Sequence, residues 1–496
     1  MFETAIAQLR FAVSLASGRP FALWSLEWLI KALRDTRREF GAIGPEGAEV
    51  VRGPTLDDAT RREMQIRRFR AQAARAARDT EYYPRLFATL GIDPARLRYD
   101  DITRVPITSK EAVRDNPDAF VRRGARPFLR ATTTGTTGAP TNICFSEHEL
   151  RVYFALAAIA ALINCDLRDD DIVQISTSAR ATLGNVCLAG ACAHIGALVT
   201  MAGMVDPAQT LAQLAERHHI PGKCAQVSVL YTYPSYLGAL VETGLRLGYR
   251  PADFGLQEIA AGCEIVTEGL RARCERLFGP VRFGGGYGMT EIWPFGGDPC
   301  VQGHLHFDPA KGLLEVLDLD TGMPALPGEA GVIVATPFPP FRETTLLLRY
   351  NTEDMVRPLA GPLTCARRDQ PATTNLLGKQ RLSVRHDGGW TFPRDVLEAL
   401  EASDEVPLPA RFGFWAVPGG VAVEVVMRDQ SPHGRHTIGT ALEANGVPLR
   451  ELHLLNHRSR LRNPYPLRGD LRETTFAAPA QPDRIMHQAM SIGAAK

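Results

Sequence analysis

The sequence predicts an α/β protein: a large N-terminal domain with mixed sheets and a β-rich subdomain, then a small α+β C-terminal domain. Three observations carry this. From Leu129 onward, short β-branched runs alternate with alanine- and leucine-rich stretches of helical spacing, the pattern of a largely parallel sheet. Beyond Lys311 the texture changes to strand-like runs joined by tight turns. The chain has 496 residues, whereas single cores stop growing near roughly 250–300 residues, so more than one domain is expected.

Taken in order, residues 1–50 read as a helical N-terminal extension of one or two helices. Residues 21–33 (FALWSLEWLIKAL) are apolar but carry Glu27 and Lys31, which favours docking onto the protein's own body over a membrane surface. The large domain is expected over 51–377. It opens with an arginine- and alanine-rich helix over 61–78 that ends near the breaker Tyr82-Tyr83-Pro84. A strand at 171–176, a helix at 184–196 and a strand at 197–200 follow as one α/β unit. In the β-rich part, strands are expected at 313–319 and 331–336, with a turn at 320–322. The small C-terminal domain is expected over 378–478, with a frayed tail over 479–496.

Composition narrows the function. The 56 basic and 55 acidic residues leave a net charge of +1, which gives no electrostatic reason to expect nucleic acid. Only six of the basic residues are lysines (31, 110, 223, 311, 379 and 496), so each lysine is easy to audit. Nine cysteines are an odd number. With no basic leader region at the start, they point to a reducing cytoplasm. No stretch approaches about 18 uninterrupted apolar residues, so no membrane span is expected.

The most informative segment is Thr132-Thr133-Thr134-Gly135-Thr136-Thr137-Gly138-Ala139-Pro140-Thr141. Its glycines let the backbone bend close to a ligand, and its hydroxyls and amides can cradle phosphate oxygens. No lysine follows the second glycine, so it is not a Walker loop. The segment resembles the Ser/Thr-Ser/Thr-Gly-Thr-Thr-Gly-x-Pro-Thr/Lys signature of the adenylate-forming superfamily. Three further segments resemble that family's motifs in the right order. They are Gly286-Tyr287-Gly288-Met289-Thr290-Glu291, then Arg349-Tyr350-Asn351-Thr352-Glu353-Asp354, then Gly378-Lys379 where a Gly-Arg pair normally opens the mobile C-terminal domain. Arg104-Val-Pro-Ile-Thr-Ser-Lys110, Tyr233-Pro-Ser-Tyr236 and the stretch 333–354 are similar to the phenylacetate–CoA ligase branch. The resemblance covers about residues 60–400.

That resemblance implies a large ATP- and acyl-binding domain and a role for each matched residue. Thr133, Thr134, Gly135, Thr136, Thr137 and Gly138 would bind the β- and γ-phosphates of ATP. Tyr287 would lay its ring on the adenine, and Thr290 would hydrogen-bond a phosphate oxygen. Glu291 would ligate Mg²⁺, Asp354 would accept bonds from the ribose hydroxyls, and Lys379 would keep the hinge role. Gly262-Cys263-Glu264 would lie beside an acyl pocket drawn from Phe154, residues 176–188 and residues 231–236. Their apolar and aromatic character suits an aromatic or aliphatic acid.

The chain also departs from the family. Some members carry a zinc bound by Cys-x5-His and a later Cys-x-Cys. Here the constellation is Cys300, His304, His306 and Cys365, of which Cys300, His306 and Cys365 match. Leu363 stands at the remaining position, which leaves three ligands and the expectation of a vestigial, empty zinc site, unless His304 completes the tetrahedron. The acidic pair after the hinge is absent from Gly378-Lys379-Gln380-Arg381. The terminal Gly-Lys segment aligns with Arg468-Gly469-Asp470-Leu471-Arg472, and no lysine lies between Lys379 and Lys496. Arg472 is the expected catalytic substitute, with Arg468 and Lys379 as rivals.

The function so implied is AMP-forming ligation. A carboxylic acid is activated with ATP and Mg²⁺ to an acyl-adenylate, and the acyl group passes to CoA or an amine. The alternatives are an adenylating enzyme for an unusual oxyacid with direct transfer to an amine, and a non-catalytic nucleotide-binding relative. The sequence leaves homodimer formation open.

Overall fold

The computed structural model describes residues 2–41, 56–133, 140–361, 363–365 and 367–469. Thr134, Gly135, Thr136, Thr137, Gly138 and Arg472 lie outside the described residues, as does the tail. Among the described residues, no helix is long and apolar enough to cross a membrane.

Two helices, Phe2–Ser17 and Leu23–Phe40, open the chain. Leu26 and Ile30 of the second are buried in the main core. Its arginines cap chain ends of the body: Arg34 donates to the carbonyl of His194 at 3.1 Å, and Arg37 to that of Asp166 at 3.0 Å. Phe21 packs on Phe341 with ring centroids 5.1 Å apart. The apolar stretch at 21–33 thus docks on the protein itself. The next helix, Asp58–Asp79, starts at Asp57, whose carboxylate accepts from the Thr60 amide. That cap satisfies one of the amides a helix start leaves unpaired.

At the centre lies a five-stranded parallel sheet in the order Leu198–Met201, Ile172–Ser176, Val229–Thr232, Glu258–Ala261, Arg282–Gly284. The helices Glu147–Asn164, Thr182–Ile195, Pro207–Ala215, Pro234–Leu247 and Glu268–Phe278 flank or connect its strands. The chain leaves Ile172–Ser176 toward one edge and returns on the other side at Val229–Thr232. The carboxyl ends of these two strands therefore form a topological switch point, where α/β sheets bind ligands.

A four-stranded antiparallel sheet packs nearby, in the order Gly312–Asp318, Gly331–Pro337, Tyr350–Val356, Gly378–Lys379. Asp354 lies opposite Lys379 in its last ladder. A small antiparallel sheet of Gly297–Pro299, Leu305–Phe307 and Ala372–Thr373 adjoins it. The threonine loop joins the hairpin strands Pro127–Thr132 and Asn142–Ser146.

The last described unit holds the hairpin Val384–His386 and Gly389–Thr391, the helix Pro393–Glu401, and a three-stranded sheet. In that sheet Gly420–Val426 pairs antiparallel with Phe412–Val417 and parallel with Leu449–Leu455, the parallel crossover running through the helix Pro432–Ala444. This unit docks on the helices Pro234–Leu247 and Glu268–Phe278. Gly269 lies so close to the backbone of Glu401 that a Cβ there would approach within 2.4 Å of its carbonyl carbon. Arg273 donates to the Val406 carbonyl at 2.8 Å.

Candidate active site

The matched motifs converge on one charged cluster. Tyr287 is held by paired bonds with Gly297, 2.8 and 2.9 Å, which tie its segment to the small antiparallel sheet. Its ring meets Phe307 edge-on at 6.1 Å, and its hydroxyl donates to Asp354 Oδ2 at 3.0 Å. Lys379 Nζ sits 2.8 Å from Asp354 Oδ1 and also donates to the Thr352 carbonyl at 3.0 Å. Burial lowers the Lys379 pKa, and the Asp354 charge opposes that shift. Both oxygens of Asp354 thus have partners, yet a carboxylate has about four lone-pair sites, so acceptor capacity remains for a ligand hydroxyl.

Glu291 is the second centre. It is 1% exposed, and its Oε1 accepts from the Tyr350 hydroxyl at 3.1 Å. Lys110 Nζ lies 3.6 Å from the same oxygen. Burial raises the pKa values of both Tyr287 and Tyr350 well above the usual phenol range, so both stay protonated as donors. Thr290, beside Glu291, is half-buried in a turn, and its hydroxyl has no hydrogen-bond partner among the described residues.

Two left-handed non-glycine residues flank Tyr350: Arg349 at φ 47° and Glu353 at φ 61°. Such backbone persists only where its surroundings hold it. The Arg349 guanidinium grips both Glu315 oxygens at 2.9 Å and caps the carbonyls of Thr103 and Val105 at 3.0 and 2.6 Å. Thr108 bridges to Tyr350, exchanging bonds of 3.0 Å with Arg349 and Asn351. Ser109 then caps the helix Lys110–Asp115, which places Lys110 at its first position, facing Glu291. Lys110 was not among the sequence-predicted site residues. As one of six lysines in an arginine-rich chain, it carried a visible signal.

At the base of the threonine loop, the Thr133 amide donates to the Thr141 carbonyl at 2.9 Å, and the Thr133 hydroxyl accepts from the Thr141 amide at 3.0 Å. The two loop ends are therefore clamped together. Arg468 is anchored through its backbone. Its amide donates to Glu264 Oε1, whose other oxygen takes the Ser235 amide and hydroxyl at 2.9 and 2.6 Å. Gly469 donates to Ser235 Oγ at 2.8 Å. The terminal segment thus docks beside the switch point through Glu264 and Ser235.

The expectation of three ligands at the zinc site gains a fourth from the structure. Cys300, His304, His306 and Cys365 bring their ligand atoms within 4.8 Å of one another. The turn at Cys300 is closed by a 3.0 Å bond from its amide to the His304 carbonyl, which swings His304 to the same side as His306. His304, part of the sequence constellation but outside the family spacing, is the fourth donor. Its buried Nδ1 has no hydrogen-bond partner among the described residues. Two thiols and two imidazoles are the donor set of a tetrahedral zinc centre, so the residues fit the ion. Glu291, a buried carboxylate, likewise fits a hard, oxygen-seeking cation such as Mg²⁺.

No family model matches the chain. A phenylacetate–coenzyme A ligase of Thermus thermophilus is 28% identical over 324 residues, 63% of this chain and 69% of that protein. Another, of Aromatoleum evansii, is 25% identical over 60% of this chain and 66% of its own length. Among solved structures, a 2-hydroxyisobutyryl-CoA ligase in the postadenylation state matches with a TM-score of 0.66 at 18% identity, over 81% of this chain and 87% of that one. At that identity the match speaks for the fold. The chain is thus similar in sequence to phenylacetate–coenzyme A ligases over some 60% of its length, and it shares the fold of a CoA ligase.

Proposed function

We propose that this chain activates a carboxylic acid with ATP, forming an acyl-adenylate and pyrophosphate, and then passes the acyl group to the thiol of CoA. The observation that carries the reading is the convergence of Tyr287, Glu291, Tyr350, Asp354, Lys379 and Lys110 in one cluster fed by three separate motifs. Names of the sequence relatives support CoA over an amine as acceptor. They also weigh against a non-catalytic relative.

In this reading the acid's carboxylate oxygen attacks the α-phosphorus of ATP. Asp354 accepts from the ribose hydroxyls with its remaining lone pairs, and Tyr287 borders the adenine. The loop around Thr134, Gly135, Thr136, Thr137 and Gly138, closed at Thr133, holds the outer phosphates, with Thr290 adding its unspent hydroxyl. Glu291 would hold Mg²⁺, which when bound neutralises charge on the departing pyrophosphate. Lys110 adds a fixed positive charge at the same place, and such preorganised charge acts on the transition state. Lys379 is committed to Asp354 and serves as the anchor of the nucleotide side. Arg472 remains the proposed mobile cation of the terminal segment.

Cys300, His304, His306 and Cys365 would hold a structural zinc. That ion would brace the strand Leu305–Phe307, which pairs with Gly297–Pro299 and through Gly297 with Tyr287. The test of the main reading is pyrophosphate release over a panel of carboxylic acids, with and without CoA. Release that depends on both acid and ATP, with an acyl-CoA product, is expected. No release with any acid would overturn it.

A further inference from the structure

Tyr231 stands at the switch point of the central sheet, in the strand Val229–Thr232. Alternation along that strand puts Val229 and Tyr231 on one face, each half-buried, and Leu230 and Thr232 fully buried on the other. The Tyr231 ring crosses the gap to the helix Thr182–Ile195. Its hydroxyl lies 3.0 Å from where a Cβ on Gly184 would stand, and 4.0 Å from the same point on Gly262. Deeper along that helix, Gly190 is covered by the ring of Phe154, at 2.3 Å from an added Cβ. Two glycines therefore leave room around a phenol that crosses the cleft.

Among the described residues that phenol spends none of its hydrogen-bonding capacity. Tyr233 reaches Ser178 at 3.4 Å, and Tyr236 reaches the Val205 carbonyl at 2.7 Å. Among the described residues, the Tyr231 hydroxyl has no such partner. Burial raises its pKa, so it stays neutral and can both donate and accept. The groups that act on it most are Cys263, Tyr233, Cys187 and Arg468, whereas Asp354 and Glu291 act on Tyr287. The Tyr231 and Tyr287 hydroxyls thus have different electrostatic neighbours.

Resting on the function proposed above, we infer that Tyr231 is a specificity-determining residue. It selects carboxylic acids that carry a hydrogen-bonding substituent, such as a hydroxyl or amino group, remote from the carboxylate. A polar group enclosed in a binding site and left unpaired disfavours ligands that cannot engage it. The purely hydrocarbon acid of the same shape is therefore the poorer substrate.

The test compares wild type with Tyr231→Phe, using phenylacetate and benzoate against their hydroxy- and amino-substituted counterparts and measuring kcat/KM by pyrophosphate release. In the wild type, at least one substituted acid should exceed its hydrocarbon parent by about tenfold or more. Tyr231→Phe should abolish that ratio, lowering kcat/KM for the substituted acid more than for its parent. Gly184→Ala, whose methyl would crowd the hydroxyl, should erode the same ratio by displacing the ring. An unchanged ratio in Tyr231→Phe, or a wild type that prefers the hydrocarbon parents, would overturn the inference and leave adenylation standing. Absence of pyrophosphate with every acid would remove adenylation, and the inference with it.

Discussion

The two sides of the candidate active site are built on opposite principles. On the nucleotide side every charge has a partner: Asp354 has Lys379 and the Tyr287 hydroxyl, and Glu291 has Lys110 and the Tyr350 hydroxyl. On the acyl side Tyr231 stands near Cys263, Tyr233 and Cys187, and among the described residues its hydroxyl has no hydrogen-bond partner. Buried charges are costly unless paired, so a site for a constant, highly charged ligand is organised in advance. A wall with one open hydrogen-bonding group can instead be tuned to a particular acid. Changes on the first side should scale down turnover of all acids alike, and changes on the second should reorder them.

The largest effect is expected at Glu291. Glu291→Gln removes the charge that would hold Mg²⁺ but keeps an acceptor for Tyr350. Pyrophosphate release should fall at least about 1000-fold, or roughly 4 kcal/mol of barrier, by the same factor for every acid. A loss that varied tenfold between acids would break the division between the two sides. Lys110→Ala should come next, at about 100-fold or roughly 2.7 kcal/mol. Lys110→Arg should recover little of it, because a planar fork does not replace a compact ammonium. Full activity in Lys110→Ala would reduce the lysine to a structural partner of Glu291.

The Cys300, His304, His306 and Cys365 cluster sharpens the comparison from outside, since a zinc there would brace the nucleotide side. Protein purified without chelator should hold close to one zinc per chain. Cys365→Ser should lose the metal and lower Tm by at least about 5 °C, because structural zinc binding is folding energy. Through the Gly297–Tyr287 bonds it should also weaken ATP binding while leaving the ranking of acids unchanged. Metal analysis showing no zinc in the wild type would return the site to the vestigial reading.

Much of the layout could be read along the chain because it rests on local pattern. The arginine- and alanine-rich run became the helix Asp58–Asp79, the run at 171–176 the strand Ile172–Ser176, and the stretches around the turn at 320–322 the strands Gly312–Asp318 and Gly331–Pro337. Tyr287, Glu291 and Asp354 could be singled out because they sit in contiguous motifs. What escaped the sequence depends on contacts between distant segments. Lys110 reaches Glu291 only because Thr108 bridges to Tyr350, some 240 positions away. His304 is visible beside His306 in the sequence, and only the turn at Cys300 shows that it reaches the other three donors. The open space around the Tyr231 hydroxyl is a property of three elements meeting, which no one of them encodes alone.

The smallest effect concerns the joint between the last unit and the large one, where the two sides of the site should be indifferent. Glu401 ends the helix Pro393–Glu401 and is 5% exposed. Its Oε2 accepts from the Thr267 hydroxyl at 2.6 Å. Burial pushes its pKa up to about 7, while bonds from Thr267 and the Ala410 amide, with the Arg273 charge, pull it down, and Glu264 adds a smaller upward push. Below its unfolded value of 4.5 the carboxyl is protonated in both states and has no influence on folding. Between there and about 7 the unfolded chain gives up the proton and the folded chain keeps it, so stability falls as pH rises. Above 7 the loss is complete, at most about 3 kcal/mol. Glu401→Gln keeps an acceptor for Thr267 and removes the titration. Its Tm relative to wild type should therefore rise by at least about 3 °C between pH 5 and pH 8, with the acid ranking untouched. The same Tm difference at both pH values would show that Glu401 does not titrate in this range. A changed acid ranking would show that the joint and the acyl side are coupled through Glu264, which bonds Ser235 and the Arg468 amide.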